Sequence, residues 1–194
     1  MAGNPAIAPM RVTLDFRPDA ARVGFGLEKW ASLIGEWRPV WQDVVLLFHR
    51  HERRHFDTEG QATGPAFAPL SERYERWKSA NYPGRPILEL RSHLRDALVS
   101  GVGPGAIERI TAGGVEVGVD GAKIPYAVAH SRGIGVPRRP PVRLDPSLTT
   151  PGAFGWALRQ LAQAHVIRAR RQALGEPAAA AERTRDRILR SPTR

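Results

Sequence analysis

The sequence predicts an α+β fold, a small antiparallel sheet packed against a long helix with a basic helical extension at the C-terminus, and three observations predict it. Two alternating runs, Ile107 to Thr111 and Val115 to Val119, flank Gly113-Gly114, a strong hairpin signal. Trp37, Trp41, Val44, Phe48 and His55 recur at spacings of three, four and seven and mark one apolar face of a helix. From Pro151 onward the chain is amphipathic and dominated by arginine among its charges.

Taken in order, Arg11 to Phe16 alternates as a half-buried strand does, and Arg17-Pro18-Asp19 ends it. From Leu27 to about Asp57 the pattern is helical, and Gly35 and Pro39 divide it into a short helix and a longer one. Pro39 suits the first turn of the second helix, where its missing N–H costs nothing. With ~20 residues that helix is about 30 Å long, which makes it the principal core helix. A Gly/Pro-rich loop, Thr58 to Pro69, follows, and Ser71 caps a helix running through Glu72, Tyr74 and Trp77 to Lys78. Tyr82-Pro83-Gly84-Arg85-Pro86 reads as a turn, and Ile87 to Val99 as a helix with Leu90, Leu94, Ala97 and Leu98 facing inward. After the hairpin, Pro125 to His130 forms a single helical turn, and Pro141-Val142-Arg143-Leu144 a closing strand. Pro151 to Arg171 is a helix with Phe154, Leu158, Leu161 and His165 on one side. Gly175 and Pro177 interrupt what comes next. The organisation expected is therefore a core over residues 1–150 and a linked, basic, helical extension over 151–194.

Composition limits the chemistry. With 194 residues and 42% hydrophobic content the chain can build a core. It has no cysteine, which removes disulfides, thiolate catalysis and Cys-ligated zinc or iron–sulfur clusters. Lys29, Lys78 and Lys123 are the only lysines, so the formal charge of +10 is carried almost wholly by arginine. Nine arginines against three acids between Pro151 and Arg194 supply six of those ten charges. Such a surplus points to polyanions or acidic protein surfaces as partners. No segment has the ~20 apolar residues of a membrane span. Met1 to Met10 lacks the basic head and apolar run of a signal peptide, which leads us to expect a chain kept in the cytosol and no membrane partner.

His51-Glu52-Arg53-Arg54-His55 spells the zinc-protease motif, in which two histidines one helical turn apart hold the metal and the glutamate activates water. A third ligand is not evident. His55 is followed by Phe56-Asp57-Thr58-Glu59-Gly60-Gln61, without the Gly and His of the extended pattern, and Glu72 or Glu75 serves only if the next helix returns alongside. Arg53 and Arg54 also repel a dication. The plainer reading places His51 and His55 at the edge of the core, hydrogen-bonded, with Arg53 and Arg54 in solvent. Gly101-Val102-Gly103-Pro104-Gly105 lacks the Gly-Lys-Ser/Thr of a phosphate loop and reads as a turn. No serine lies in a nucleophile elbow. Neither a catalytic set nor a cofactor site follows from the residues.

A series of short segments carries a resemblance. Phe56-Asp57-Thr58-Glu59-Gly60, then Phe67-Ala68-Pro69-Leu70-Ser71 and a helix ending Trp77-Lys78 are followed in order by Pro86-Ile87-Leu88 and Leu94-Arg95-Asp96-Ala97-Leu98. Val115-Glu116-Val117-Gly118, Tyr126-Ala127 with His130 and Gly133, and Pro137-Arg138-Arg139-Pro140 complete the series. From about Trp30 to Asp145 the chain resembles the virion-morphogenesis or tail-completion proteins of Mu-like phages, relatives of the tail-to-head joining proteins of long-tailed siphophages. It departs from them at Arg91-Ser92-His93, where the family has a Thr-Gly or Ser-Gly pair, and at Pro141, where an aromatic or aliphatic residue is usual.

The resemblance implies a non-enzymatic virion protein in the neck, assembled in the host cytoplasm and joining tail to head. It implies a ring of copies around the DNA channel, hexameric by analogy. A tail terminator or tail tube protein and a head–tail connector or stopper protein are the expected neighbours, with phage DNA in the channel. The alternatives are a sequence-independent nucleic-acid-binding protein and, behind it, the zinc peptidase. Residues expected at interfaces or on DNA are Glu59, Arg95, Arg138, Arg139, Arg168, Arg170, Arg171, Arg183 and Arg187. Glu59 has two readings, a solvated or helix-capping carboxylate and an ion pair with Arg95 or Arg139 of the same subunit or the next. Phe56, Phe67 and Trp77 are expected to pin the 58–69 loop to the long helix, with Gly60 and Gly64 at positive φ. Tyr126 and His130, one turn apart, are expected to pack in the core, with a hydrogen bond to the loop at Arg138 and Arg139 as the functional version. The arginines after Pro151 fit either DNA phosphates or acidic surfaces of neighbouring proteins, and the second is the expectation, because moving DNA should not be gripped tightly.

Overall fold

A computed structural model describes residues 10–15 and 32–191, the first stretch by its backbone, and shows an α+β fold. Strand β1 (Met10–Asp15) precedes helix α1 (Arg38–Asp57), a short 3-10 turn (Gln61–Thr63), α2 (Glu72–Asn81) and α3 (His93–Ser100). The hairpin β2 (Ala106–Ile110) and β3 (Gly114–Val119) leads to α4 (Pro125–Arg132), α5 (Phe154–Ala173) and α6 (Ala179–Arg190). The strands form one sheet in the order β1-β3-β2. The hairpin closes where Thr111 N–H donates to Gly114 O at 2.9 Å, as the paired glycines of the turn predict. The short helix expected to begin at Leu27 lies partly outside the described residues; its end, residues 32–35, is helical.

The chain divides into two compact units. Among the described residues the first unit holds 10–12, Glu52–Glu108 and Val117–Arg143, and the second holds 13–15, 32–51, Arg109–Glu116 and 144–191. In this division the two C-terminal helices share a unit with the first part of α1. Trp37 and His165 have ring centroids 4.8 Å apart, and the edge of His51 meets Phe154 at 5.9 Å and 72°. Trp37, Trp41, Val44, Phe48, Phe154 and Leu161 are all buried in this unit. Burying one large apolar side chain contributes roughly 1.5–3 kcal/mol. That gain is what turns a basic segment from a tail into part of a core.

In the first unit the core is Phe56, Phe67, Leu94, Ala97, Leu98, Val117, Val119, Ile124 and Ala127. Two sequence readings fail here. The helix expected from Ile87 begins only at His93, because Leu88 (φ 66°) and Ser92 (φ 60°) adopt the left-handed region and break any continuous turn before it. Leu94, Ala97 and Leu98 do face inward, but Leu90 is half-buried. Residues Pro141 to Leu144 form no strand, since Arg143 is turned to donate from Nη1 to Pro65 O at 2.8 Å. Helix α4 is longer than the single turn expected and ends on Gly133 at φ 76°.

Candidate functional site

The C-terminal end of α1 builds the site. Gly60 N–H donates to His55 O (2.8 Å) and Glu59 N–H to Phe56 O (3.0 Å), the paired bonds of a Schellman cap, which turns the chain sharply into the 58–69 loop. The cap requires a left-handed residue at Glu59, and Glu59 adopts φ 47°, a conformation that usually selects glycine. A glutamate tolerates that strain because its side chain is used. Its Oε1 accepts the Ile87 N–H at 2.8 Å, tying the loop to the segment after α2. Glu59 is thus a carboxylate that holds backbone, and within the chain Arg95 and Arg139 bond elsewhere.

Arg95 pairs instead with Asp57, and its Nε lies 3.3 Å from Glu89. Arg139, only 3% exposed, spends its guanidinium on two carbonyls of the loop: Nε donates to Ala68 O and Nη2 to Pro69 O, both at 2.6 Å. Arg138 is exposed and donates from Nε to Ser131 O at 3.1 Å. Two further ionisable groups are buried here, Lys78 and Glu89, that sequence reasoning did not select. Lys78 Nζ donates to Pro86 O. Burial lowers the Lys78 pKa, and the nearby Glu59 and Glu89 carboxylates partly restore it. Burial likewise raises the Glu89 pKa, against the pull of Arg95 and Arg85. An open cavity of about 540 Å³, lined in part by Asp57, Arg85, Glu89 and Arg95, adjoins this cluster. Phe56 and Phe67 pin the loop as expected, whereas Trp77 does not: it is 45% exposed and stacks on Tyr74 with centroids 5.4 Å apart. Tyr126 is also exposed rather than in the core. His130 is half-buried, and burial lowers its pKa, helped by the Arg139 charge. The contact expected near Arg139 exists through the backbone, where Arg139 N–H donates to His130 O at 2.9 Å.

The zinc-protease letters are used differently. His55 is fully buried; its Nε2 donates to Pro140 O at 2.9 Å, because a carbonyl can only accept, and its Nδ1 meets the Thr63 hydroxyl at 2.5 Å. Its ring stands perpendicular to Phe67 at 4.9 Å. Both ring nitrogens, either of which could ligate a metal, are occupied by loop partners. His51 is buried at 1% exposure, whereas a catalytic zinc keeps one position open to water and substrate. Glu52 is also fully buried, and desolvation raises its carboxyl well above the ordinary range. Among the described residues no group of three His, Asp or Glu is gathered as a metal site.

In the second unit, Arg170, Arg183 and Arg187 are exposed and Arg168 and Arg171 half-buried. Arg171 Nη1 donates to Pro177 O at 3.0 Å across the turn between α5 and α6. The residue that anchors α6 is one the sequence did not single out: Arg185 donates from Nε and Nη2 to both oxygens of buried Asp43 at 2.5 and 2.6 Å. This hydrogen-bonded pairing is the main cause of the raised Arg185 pKa. The available signal was Asp43 itself, an acid set beside the apolar stripe of α1. No helix among the described residues is long and apolar enough to cross a membrane. Comparisons with protein-family models, curated proteins and solved structures gave no match.

Proposed function

We propose that the chain is a non-enzymatic virion component at the head-proximal end of a phage tail, where a ring of copies joins tail to head. One observation supports this reading above others: separate segments that carry the resemblance meet in the first unit through side-chain-to-backbone bonds. Glu59 reaches Ile87, Arg139 reaches Ala68 and Pro69, and Arg95 reaches Asp57. Residues spread over more than 80 positions thus stiffen two loops, 58–69 and 137–140. Loops held by hydrogen bonds keep one shape while their outer surfaces remain available to neighbours, which suits a part whose work is fitting. A closed ring needs two different complementary patches on each subunit. The exposed Tyr74, Trp77, Arg73 and Arg76 of α2 have the composition of interface anchors and offer one such patch.

The histidines and glutamate of the zinc-protease letters act here as braces. The test is deletion of the coding sequence from the phage or prophage that carries it, followed by electron microscopy of the lysate. Heads and tails accumulating apart, and joining on addition of the purified chain, is the expected result. Normally joined particles from the deletion would refute the proposal.

A further inference from the structure

The turn Leu174–Ala178 folds α6 back along α5, and the groove between them is an open cavity of about 300 Å³. One wall is a single stripe of α5 containing Gln160, Gln163, Ile167 and Arg171, and the other is a stripe of α6 containing Thr184 and Arg187. From Gln160 to Arg171 the groove runs about 16 Å at 1.5 Å per residue. Two guanidinium groups, two carboxamides and a hydroxyl face it, and among its described lining residues none is acidic. That is unusual in a hairpin containing Glu176, Glu182 and Asp186. The geometry explains the segregation. Glu182 lies on the other flank of α6, where it lines a separate cavity with Asp43, Arg168 and Arg185. Asp186 lies 3.5 Å from Arg185, which is itself clamped by Asp43. The clamp therefore fixes the rotation of α6 so that carboxylates turn one way and Arg187 with Thr184 the other.

We infer that this groove is a binding site for the phosphodiester backbone of a nucleic acid, read without regard to sequence. Its lining holds two guanidinium groups and no acid, and its length favours a repeating anion: duplex DNA carries one charge per about 1.7 Å of axis, so a groove of about 16 Å spans more than one phosphate. The two carboxamides donate to phosphate oxygens between the two cationic ends, a pattern that positions a backbone and contacts no base. The inference goes beyond the tail-joining proposal and does not rest on it, since binding is measured on the isolated chain.

The test is fluorescence anisotropy of the full chain with a labelled mixed-sequence DNA duplex over a salt series. Arg171→Gln with Arg187→Gln is compared with Arg50→Gln with Arg190→Gln, two exposed arginines outside the groove, which removes the same charge. The groove pair is expected to weaken binding at least about tenfold and to flatten the slope of log affinity against log salt by about two, near one per lost phosphate contact. The control pair should change affinity less than about threefold and leave the slope intact. Gln163→Glu, which keeps the shape and adds a carboxylate, should weaken binding as much as the groove pair. Equal losses in both arginine pairs, no binding by the wild-type chain at low salt, or equally tight groove-dependent binding of polyglutamate would each overturn the inference.

Discussion

Arg139 is the most direct point at which to perturb the site. Its guanidinium is buried and makes two 2.6 Å bonds to carbonyls of Ala68 and Pro69, some 70 residues away in the chain. A hydrogen bond to a charged group contributes about 1.5–3 kcal/mol net, and a buried acceptor left without its donor costs about 1–3 kcal/mol. Arg139→Lys keeps the charge, but one ammonium cannot reproduce the planar fork on two carbonyls, so a loss of about 2 kcal/mol is expected. Arg139→Met loses both bonds, offset by no longer burying a cation, and is expected to cost about 3 kcal/mol, roughly a 150-fold shift in the folding equilibrium. Urea unfolding followed by tryptophan fluorescence measures the total. Hydrogen exchange at the Phe67 amide, which donates to Glu59 O at 2.7 Å inside the loop, measures the local part. Both variants should speed that exchange. If Arg139→Met stays within about 0.5 kcal/mol of wild type and Phe67 remains protected, the clamp is not what holds the loop.

Other expectations follow from the same bonds. Glu59→Gln keeps the acceptor for Ile87 N–H and should cost less than about 1 kcal/mol, whereas Glu59→Gly trades relief of the left-handed strain against that bond and, by urea titration, should still destabilise by about 1 kcal/mol. The Glu52 carboxyl, raised by burial, binds its proton more tightly in the folded than in the unfolded chain. Its contribution therefore falls as pH rises from the unfolded carboxylate pKa toward the folded value and levels off above it. Glu52→Gln should remove that decline, so the stability difference between variant and wild type widens with pH in parallel melts. At Gly155 an added Cβ would lie 2.3 Å from Pro146 O, a backbone atom, so Gly155→Ala should cost about 1–3 kcal/mol in thermal melts despite the better helix propensity of alanine. Asp43→Ala should free Arg185 and raise hydrogen exchange across α6 while leaving the Phe67 amide unchanged.

Much of the fold was legible because periodicity records burial. The face from Trp37 to His55, the hairpin around Gly113-Gly114 and the α5 pattern all appear as read, since apolar spacing and glycine turns are local signals. The start of α3 was not legible: leucine and serine at Leu88 and Ser92 give no warning of positive φ, which tertiary contacts impose. The packing of α5 and α6 was hidden for a similar reason. Arginine-rich sequence reads as solvated surface, and only the partner, Asp43, shows that Arg185 is an anchor. Within the site, charge offers Glu59 either as a solvated or capping carboxylate or as an ion-pair partner of Arg95 or Arg139 in the same subunit or the next; within the chain neither Glu59 nor Arg139 pairs with the other. Both bond backbone instead, Glu59 an N–H and Arg139 two carbonyls, groups that no side-chain motif displays.

The tail-joining proposal is tested most directly by locating the chain in purified phage particles with antibody-gold labelling and mass spectrometry of dissected heads and tails. The account predicts label confined to the junction of head and tail, with the chain retained on tails that have completed their head end. Label absent from finished particles, or spread over the capsid surface, would contradict it.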